Sequence, residues 1–406
     1  MAALNASPGQ QPAGPLHGVR VLDLIDGAAA YGPKLLVGLG ADVIRVERPD
    51  GSKHRRRPPL VRSLEADGPS LYFLHYNAGK LGITLDPDRV EGRALLSHLL
   101  DHADIVFDNG ELSRLGFDLD ALAAAGPLVV VSVTPFGLNS PRSSWRGGDL
   151  VCQAMSGMIG LYGDRESRPA RIGPEQAFEI GGMAATLGGL IALYGARRTG
   201  LGEVVDIAIQ RVSTMVTLQM SNASMYHQFG VARGRRPREE VMHGALYETC
   251  DGWVLLGAYR RLDELLAMLG DGDTGHELRA ARQQLGDDAF IRDPDVEATL
   301  RRFCAGMTRA ALVDAAQASG MLGLPVNDVA DLIADPFLQS RAFFVEVEHP
   351  ELGIVGVDSG APVRFSASPY RASRRPPLLG EHNAEVYASI GVDEHALARL
   401  RAEGVV

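Results

Sequence analysis

"GVRVLDLIDGAAAYGPKLLVGLGADVIRVERP", residues Gly18 to Pro49, decides the fold. "GVRVLDL" (Gly18 to Leu24) is a short apolar, β-branched run, the composition of a buried strand. "AYGPKLLVGLG" reads as a helix and "ADVIRVERP" (Ala41 to Pro49) as a second strand. Strand, helix and strand within about 30 residues make a βαβ unit, since parallel strands need a crossover of that length. The alternation recurs. "LGITLD" is a strand, "RVEGRALLSHLLDHA" a helix with leucines at 95, 96, 99 and 100, and "DIVFDN" a strand. "LDALAAAG" is a short helix and "LVVVSVTPFG" another buried strand. This rhythm predicts an α/β fold with a mostly parallel, doubly wound sheet.

Further on, "GGDLVCQAMSGMIGLYG" and 180–197 read as helices, and "EVVDIAIQRVSTMVTLQM" begins as a strand and continues as a helix. Ala184, Ala185, Gly188, Gly189 and Ala192 form a small-residue stripe that lets another backbone approach closely. The texture changes near Gln228, where "QFGVARGRRPREEVMHG" reads as a loop or linker. "ALYETCDGWVLLGA" is a hairpin with Asp251-Gly252 at its turn, and "VEVEHPELGIVGV" a hairpin around Pro350 to Gly353. "GEHNAEVYASIGV" is a closing helix. A chain of 406 residues exceeds what one core usually serves, so two domains are expected.

Composition narrows the function classes. A net charge of −10 with 46% hydrophobic and 22% charged residues describes a soluble protein without the basic excess that nucleic acid requires. "KHRRR" (Lys53 to Arg57) stands out and is expected to be a solvated loop rather than an anion site. Cys152, Cys250 and Cys304 are odd in number and lack CxxC or zinc spacing, which fits a reducing, cytoplasmic setting. "MAALNASPGQQPAGP" lacks the charged start and apolar centre of a signal peptide. The small-apolar stretch Ile180 to Ala196 is broken by glycines and is not expected to span a membrane. No GxGxxG follows the first strand, and neither a Walker loop nor a GxSxG elbow is present.

In order, "GVRVLDL", "LGADVIRVERP", "NAGKLGITLD", "LLDHADIVFDN", "LGFDLDAL", "SVTPFGLNSP", "GARRTGLGEVVDIAI", "LYETCDGW" and "LLGEHNAEVYASIG" resemble the family III CoA-transferases over nearly the whole chain. The resemblance implies a large α/β domain built from both chain ends and a smaller α+β domain between them. The expected partition is 1–225 and 329–406 for the large domain and 226–328 for the small one. It also implies two subunits threaded through each other as an interlocked dimer. Coenzyme A and acyl-CoA enter as substrates, with no metal, flavin or nicotinamide implied.

Family chemistry is nucleophilic: an aspartate attacks the acyl-CoA thioester and glycine N–H groups steady the oxyanion. The aspartate belongs to a segment of the form R-V-G-x-P-x-A-D-L-x-T-G. Laid on "RIGPEQAFEIGG" (Arg171 to Gly182), its place is taken by Phe178 and the proline's by Glu175. A phenyl ring cannot carry an acyl group. Glu179 is the substitute on offer, yet it needs a one-residue slip, and misplacement by about 1 Å can cost about 10²-fold. The alternative for Glu179 is a carboxylate favoured by a helix N-terminus.

The resemblance also implies CoA contacts at Arg48, Lys80, Asn109 and Arg114, where cations suit nucleotide phosphates. "NGELSRLGF" is shorter than the family's loop there and lacks its Pro-Gly, which puts CoA anchoring in question. The racemase branch needs a histidine where Gly148 stands and an acid/base where Phe178 stands, so racemase chemistry is disfavoured. Asp149 is read as a turn or helix cap, and His75, His243 and His382 have no metal spacing. "GEHN" (Gly380 to Asn383) is read as structural, and "RGRRPREE" (Arg233 to Glu240) as a lid or a plain linker.

The favoured expectation is a non-nucleophilic subunit in a heterodimer with a catalytic paralogue, as in the benzylsuccinate type within the family, which "YFLHYNAGK" resembles. The reaction would move CoA from a donor such as succinyl-CoA to an organic acid, aromatic dicarboxylic acids included. Two alternatives are a homodimeric transferase using Glu179 and a non-catalytic acyl-CoA-binding protein.

Overall fold

A computed structural model describes residues 14–61, 68–163, 166–173, 175–217, 220–232, 234–235, 245–257, 261–370 and 374–406. The larger of two compact units holds a six-stranded sheet of order β3-β2-β1-β4-β5-β6. Its strands are β1 (Arg20–Asp23), β2 (Asp42–Glu47), β3 (Leu81–Thr84), β4 (Ile105–Asp108), β5 (Val129–Thr134) and β6 (Glu203–Ala208). Every pairing is parallel, with Val21 opposite Val43 and Ile105. "VVVSVT" of β5 is buried along nearly its whole length, as a strand covered on both faces must be.

The crossovers are helical. They comprise α1 (Tyr31–Gly38), α2 (Leu71–Tyr76), α3 (Val90–Asp101), α4 (Glu111–Arg114) and α5 (Leu119–Ala124), then α6 (Asp149–Met155), α7 (Met158–Leu161) and the long α8 (Gln176–Thr199). One sheet face packs on α1 and α8 and the other on α3, α5 and the chain's last helices, Asn383–Ser389 and Glu394–Ala402. The sheet is doubly wound, as the sequence rhythm predicts.

The small-residue stripe of α8 acts where helix meets helix. A Cβ on Gly182 would sit 2.9 Å from the backbone N of Gly32, so only glycine allows α1 this close. Thr186 then donates its hydroxyl to the Gly32 carbonyl at 3.1 Å. "GEHN" closes the sheet's edge: His382 Nδ1 accepts from Gly82 N at 3.0 Å, and Asn383 Oδ1 from Thr84 N at 2.9 Å. Tyr387 donates to the Thr84 carbonyl at 2.7 Å. Both chain ends thus build the larger unit.

An antiparallel hairpin, β10 (Phe344–His349) and β11 (Ile354–Ser359), also belongs to this unit and turns at Pro350–Gly353. The smaller unit, Gly163–Pro169 and Arg233–Leu338, carries β7 (Ala245–Thr249), β8 (Gly252–Gly257) and β9 (Leu322–Pro325) in one antiparallel sheet. Helices rich in Leu and Ala pack on it around Leu265, Phe290, Leu300 and Leu312. Its hairpin turns at Cys250-Asp251, one residue earlier than expected, because Gly252 already pairs with Thr249. The seams between units lie at 232/233 and 338/339 rather than 225/226 and 328/329. The earlier positions fall inside, or at the head of, the helices Met220–Phe229 and Val329–Ala334, whose hydrogen-bonded turns keep together.

Candidate active site

The start of α8 is held without a cap of its own. Glu175, at its N-cap, sits in the left-handed region at φ 61° and makes no capping bond. Asp149 replaces it from the first turn of α6. Its Oδ1 accepts from Ala177 N at 2.9 Å and Phe178 N at 3.1 Å, while Oδ2 accepts from Gln153 Nε2 at 2.7 Å. Gln153 in turn takes the N–H of Ile172 at 3.1 Å. A buried carboxylate therefore satisfies two of the orphan donors at a helix N-terminus and fixes the backbone of residue 178. The side chain so positioned is the ring of Phe178, half-buried against the α1–α8 core.

Glu179 follows on the helix and accepts the phenolic hydroxyl of Tyr76. Burial raises its carboxyl above the ordinary value, against the pull of the Tyr76 hydrogen bond and of His75. Burial and Glu179 likewise push the Tyr76 phenol up. The carboxylate oxygen that an attack would use is therefore occupied by the Tyr76 hydroxyl. Glu175 pairs with Arg57, whose guanidinium lies 4.1 Å over the ring of Tyr72.

A second feature opens at the carboxyl ends of β1, β2 and β4. A cleft of about 260 Å³ is lined there by Asp26, Arg45, Arg48, Ser52, Lys53 and Asn109, among others. It lies where the strand order reverses between β1 and β4, the place open α/β sheets use for ligands. Arg48 contacts Asp86 at 3.0 Å, Asp88 at 2.7 Å and Glu111 at 3.1 Å. Arg114 shares two of these acids, Asp88 at 2.9 Å and Glu111 at 2.7 Å.

A family profile described as CoA-transferase family III matches residues 16–383. The chain belongs to this family. It is 31% identical, over 95% of its own length and 97% of the relative's, to the succinyl-CoA:(R)-benzylsuccinate CoA-transferase subunit BbsE of Thauera aromatica. It is 30% identical to a succinate–glutarate CoA-transferase of Agrobacterium fabrum, covering 94% of this chain and 97% of that one. The crystal structure of a CAIB/BAIF family protein from Brucella suis superposes with a TM-score of 0.80 at 28% identity, over 94% of this chain and all of that one.

As a family III CoA-transferase, the chain brings three of its four expected CoA contacts to one place. Arg48 and Asn109 line the switch-point cleft, and Arg114 joins them through the shared acids. Lys80 is corrected. Its ammonium is wholly buried, 2.7 Å from Asp23 Oδ2 and 3.2 Å from Asn77 Oδ1, and so it joins β1 to β3 rather than facing a ligand. "KHRRR" forms a 3-10 turn capped by Ser52, with Lys53 and Arg56 exposed and none of the five residues buried. Arg55 grips Glu47 through two bonds at 2.7 and 2.8 Å and lies over Phe73, while Arg57 holds Glu175.

The Arg57–Glu175 and Tyr76–Glu179 contacts were not anticipated from the sequence. Their signals were present in the acid at the family's proline position, the arginine run without assigned partners, and the Tyr72/Tyr76 spacing of one helical turn. His243, Arg233 and Arg236–Glu240 lie outside the described residues.

Proposed function

We propose that this chain is the non-nucleophilic subunit of a heteromeric family III CoA-transferase. The enzyme moves CoA from a donor such as succinyl-CoA to an organic acid, aromatic dicarboxylic acids among the candidates. The observation that carries this reading is Phe178, whose N–H is seated by Asp149 while its side chain offers no oxygen. A partner subunit supplies the aspartate. That carboxylate oxygen attacks the thioester carbonyl carbon, the C–S bond breaks, and CoA leaves as the thiolate.

Three further features support it. Met183, Leu187, Ile191 and Tyr194 form an exposed apolar stripe along α8, between 48% and 65% accessible, as a surface that a second subunit covers would be. A relative of similar length is itself named as a subunit. Glu179 is engaged with Tyr76, and burial raises its carboxyl above the ordinary value. We place Arg48, Asn109 and Arg114 around the nucleotide end of CoA, the subunits interlocked, and the protein in the cytoplasm, where its three unpaired cysteines stay reduced.

The test is reconstitution. The full-length chain is purified from its native host with what accompanies it, and succinyl-CoA-dependent transfer is measured for the complex and for the chain alone. The reading expects activity only in the complex, unchanged by Glu179→Gln. Robust transfer by the chain alone, abolished by Glu179→Gln, would replace it with the homodimeric reading.

A further inference from the structure

The larger unit has a second cavity, of about 320 Å³, between α2 and the β10–β11 hairpin. Helix α2 divides its side chains by spacing. Tyr72 and Tyr76 reach Glu175, Glu179 and Arg57, while Leu71, Leu74 and His75 line this cavity. The hairpin supplies the opposite wall, with Val347 paired to Gly356 and His349 to Ile354.

We propose that this cavity binds a small organic acid with an apolar body, at a site separate from the reaction centre. Charge accounting is the first reason. The Asp358 carboxylate at the rim is already balanced by Lys34 Nζ at 2.9 and 3.0 Å, His75 Nδ1 at 2.8 Å and the N–H of Ser359 at 2.8 Å. Arg374, exposed at the cavity's mouth, also lines it and has no acidic partner among the described residues, so it is a cation open to an anionic ligand there. A guanidinium suits a carboxylate, which it can hold through two parallel bonds.

Space is the second reason. Gly356 faces the cavity in extended backbone and has no side chain; a Cβ built there would stand 3.4 Å from His349 Nε2. The missing side chain leaves room beside the His349 ring, whose buried Nδ1 has no hydrogen-bond partner among the described residues. The leucines of α2 and Ile354 supply the apolar wall, which favours a hydrocarbon body over a bare inorganic anion.

Sodium benzoate is the probe, titrated into the full-length chain by calorimetry, with sodium acetate as the carboxylate without a body. One saturable benzoate per chain is expected, with acetate weaker by about tenfold or more. Arg374→Gln, which removes the cation, and Gly356→Val, which fills the space, should each weaken benzoate by about tenfold or more. Both variants should keep wild-type melting and wild-type CoA binding. Three results would overturn the proposal: no saturable benzoate binding at millimolar concentration, binding indifferent to both variants, or a photocrosslinker at Val357 that captures a second polypeptide over the cavity. The inference uses neither Phe178 nor a partner, so its failure leaves the subunit reading standing and the reverse also holds.

Discussion

On the reading proposed for this chain, the start of α8 and the switch-point cleft each depart from what a CoA-transferase site asks, in different ways. At α8 Asp149 seats the N–H groups of Ala177 and Phe178, and the proposed reading makes the phenyl ring at 178 a deletion of the reactive side chain. At the cleft the cations are present, yet Arg48 and Arg114 are bound to Asp86, Asp88 and Glu111. Deletion cannot be undone by a ligand. Neutralisation can, because a phosphate competes with surface carboxylates that hold exposed arginines only weakly. On that reading the scaffold of a site and its chemistry are separable.

The largest expected effect tests whether Lys80 belongs to the scaffold or to the cleft. Lys80→Met leaves the buried Asp23 carboxylate without its cation and should cost about 3–5 kcal/mol in denaturant unfolding. A stable Lys80→Met protein with weakened CoA binding would return the residue to the ligand. Next, Asp149→Ala uncaps α8 and should cost about 2 kcal/mol, with Asp149→Asn losing less because one acceptor remains. Equal losses for the two variants would mean that the capping geometry does not matter.

Glu179 is tested by pH. Its folded-state value lies above the ordinary 4.5, so the folded chain retains a proton that the unfolded chain has released. The stability it contributes is complete below 4.5 and is lost as pH rises through the raised value. Glu179→Gln should remove that loss, so its stability relative to wild type should grow from pH 4.5 upward. A difference that stays flat across that window would show an ordinary, solvated carboxylate. The smallest stability effect belongs to the cleft, where Glu111→Gln should cost below about 1 kcal/mol. The same change releases part of the hold on Arg48 and Arg114 and should tighten CoA binding. Weaker CoA binding would mean that Glu111 aids the ligand.

Much of the fold was legible because its signals are local. The β-branched runs of β1, β2 and β5, the turn at Pro350–Gly353 and the glycines of α8 each announce their structure within a few residues. The phenyl ring at 178 was legible too, since a side chain without an oxygen is read directly from one segment. The fates of Lys80, Arg55 and Arg57 were not. Each is decided by an acid distant in sequence or in another element, Asp23, Glu47 and Glu175, and no spacing rule links them. Asp149 was readable as a cap, but the helix it caps begins far along the chain.

The central claim is that no carboxylate of this chain receives the acyl group. The full-length protein is incubated with succinyl-CoA, quenched with hydroxylamine, digested, and its peptides weighed by mass spectrometry. The account predicts that the peptide spanning Arg171 to Gly202 returns at its unmodified mass, with the hydroxamate on the accompanying subunit. A hydroxamate at Glu179 of this chain would contradict it.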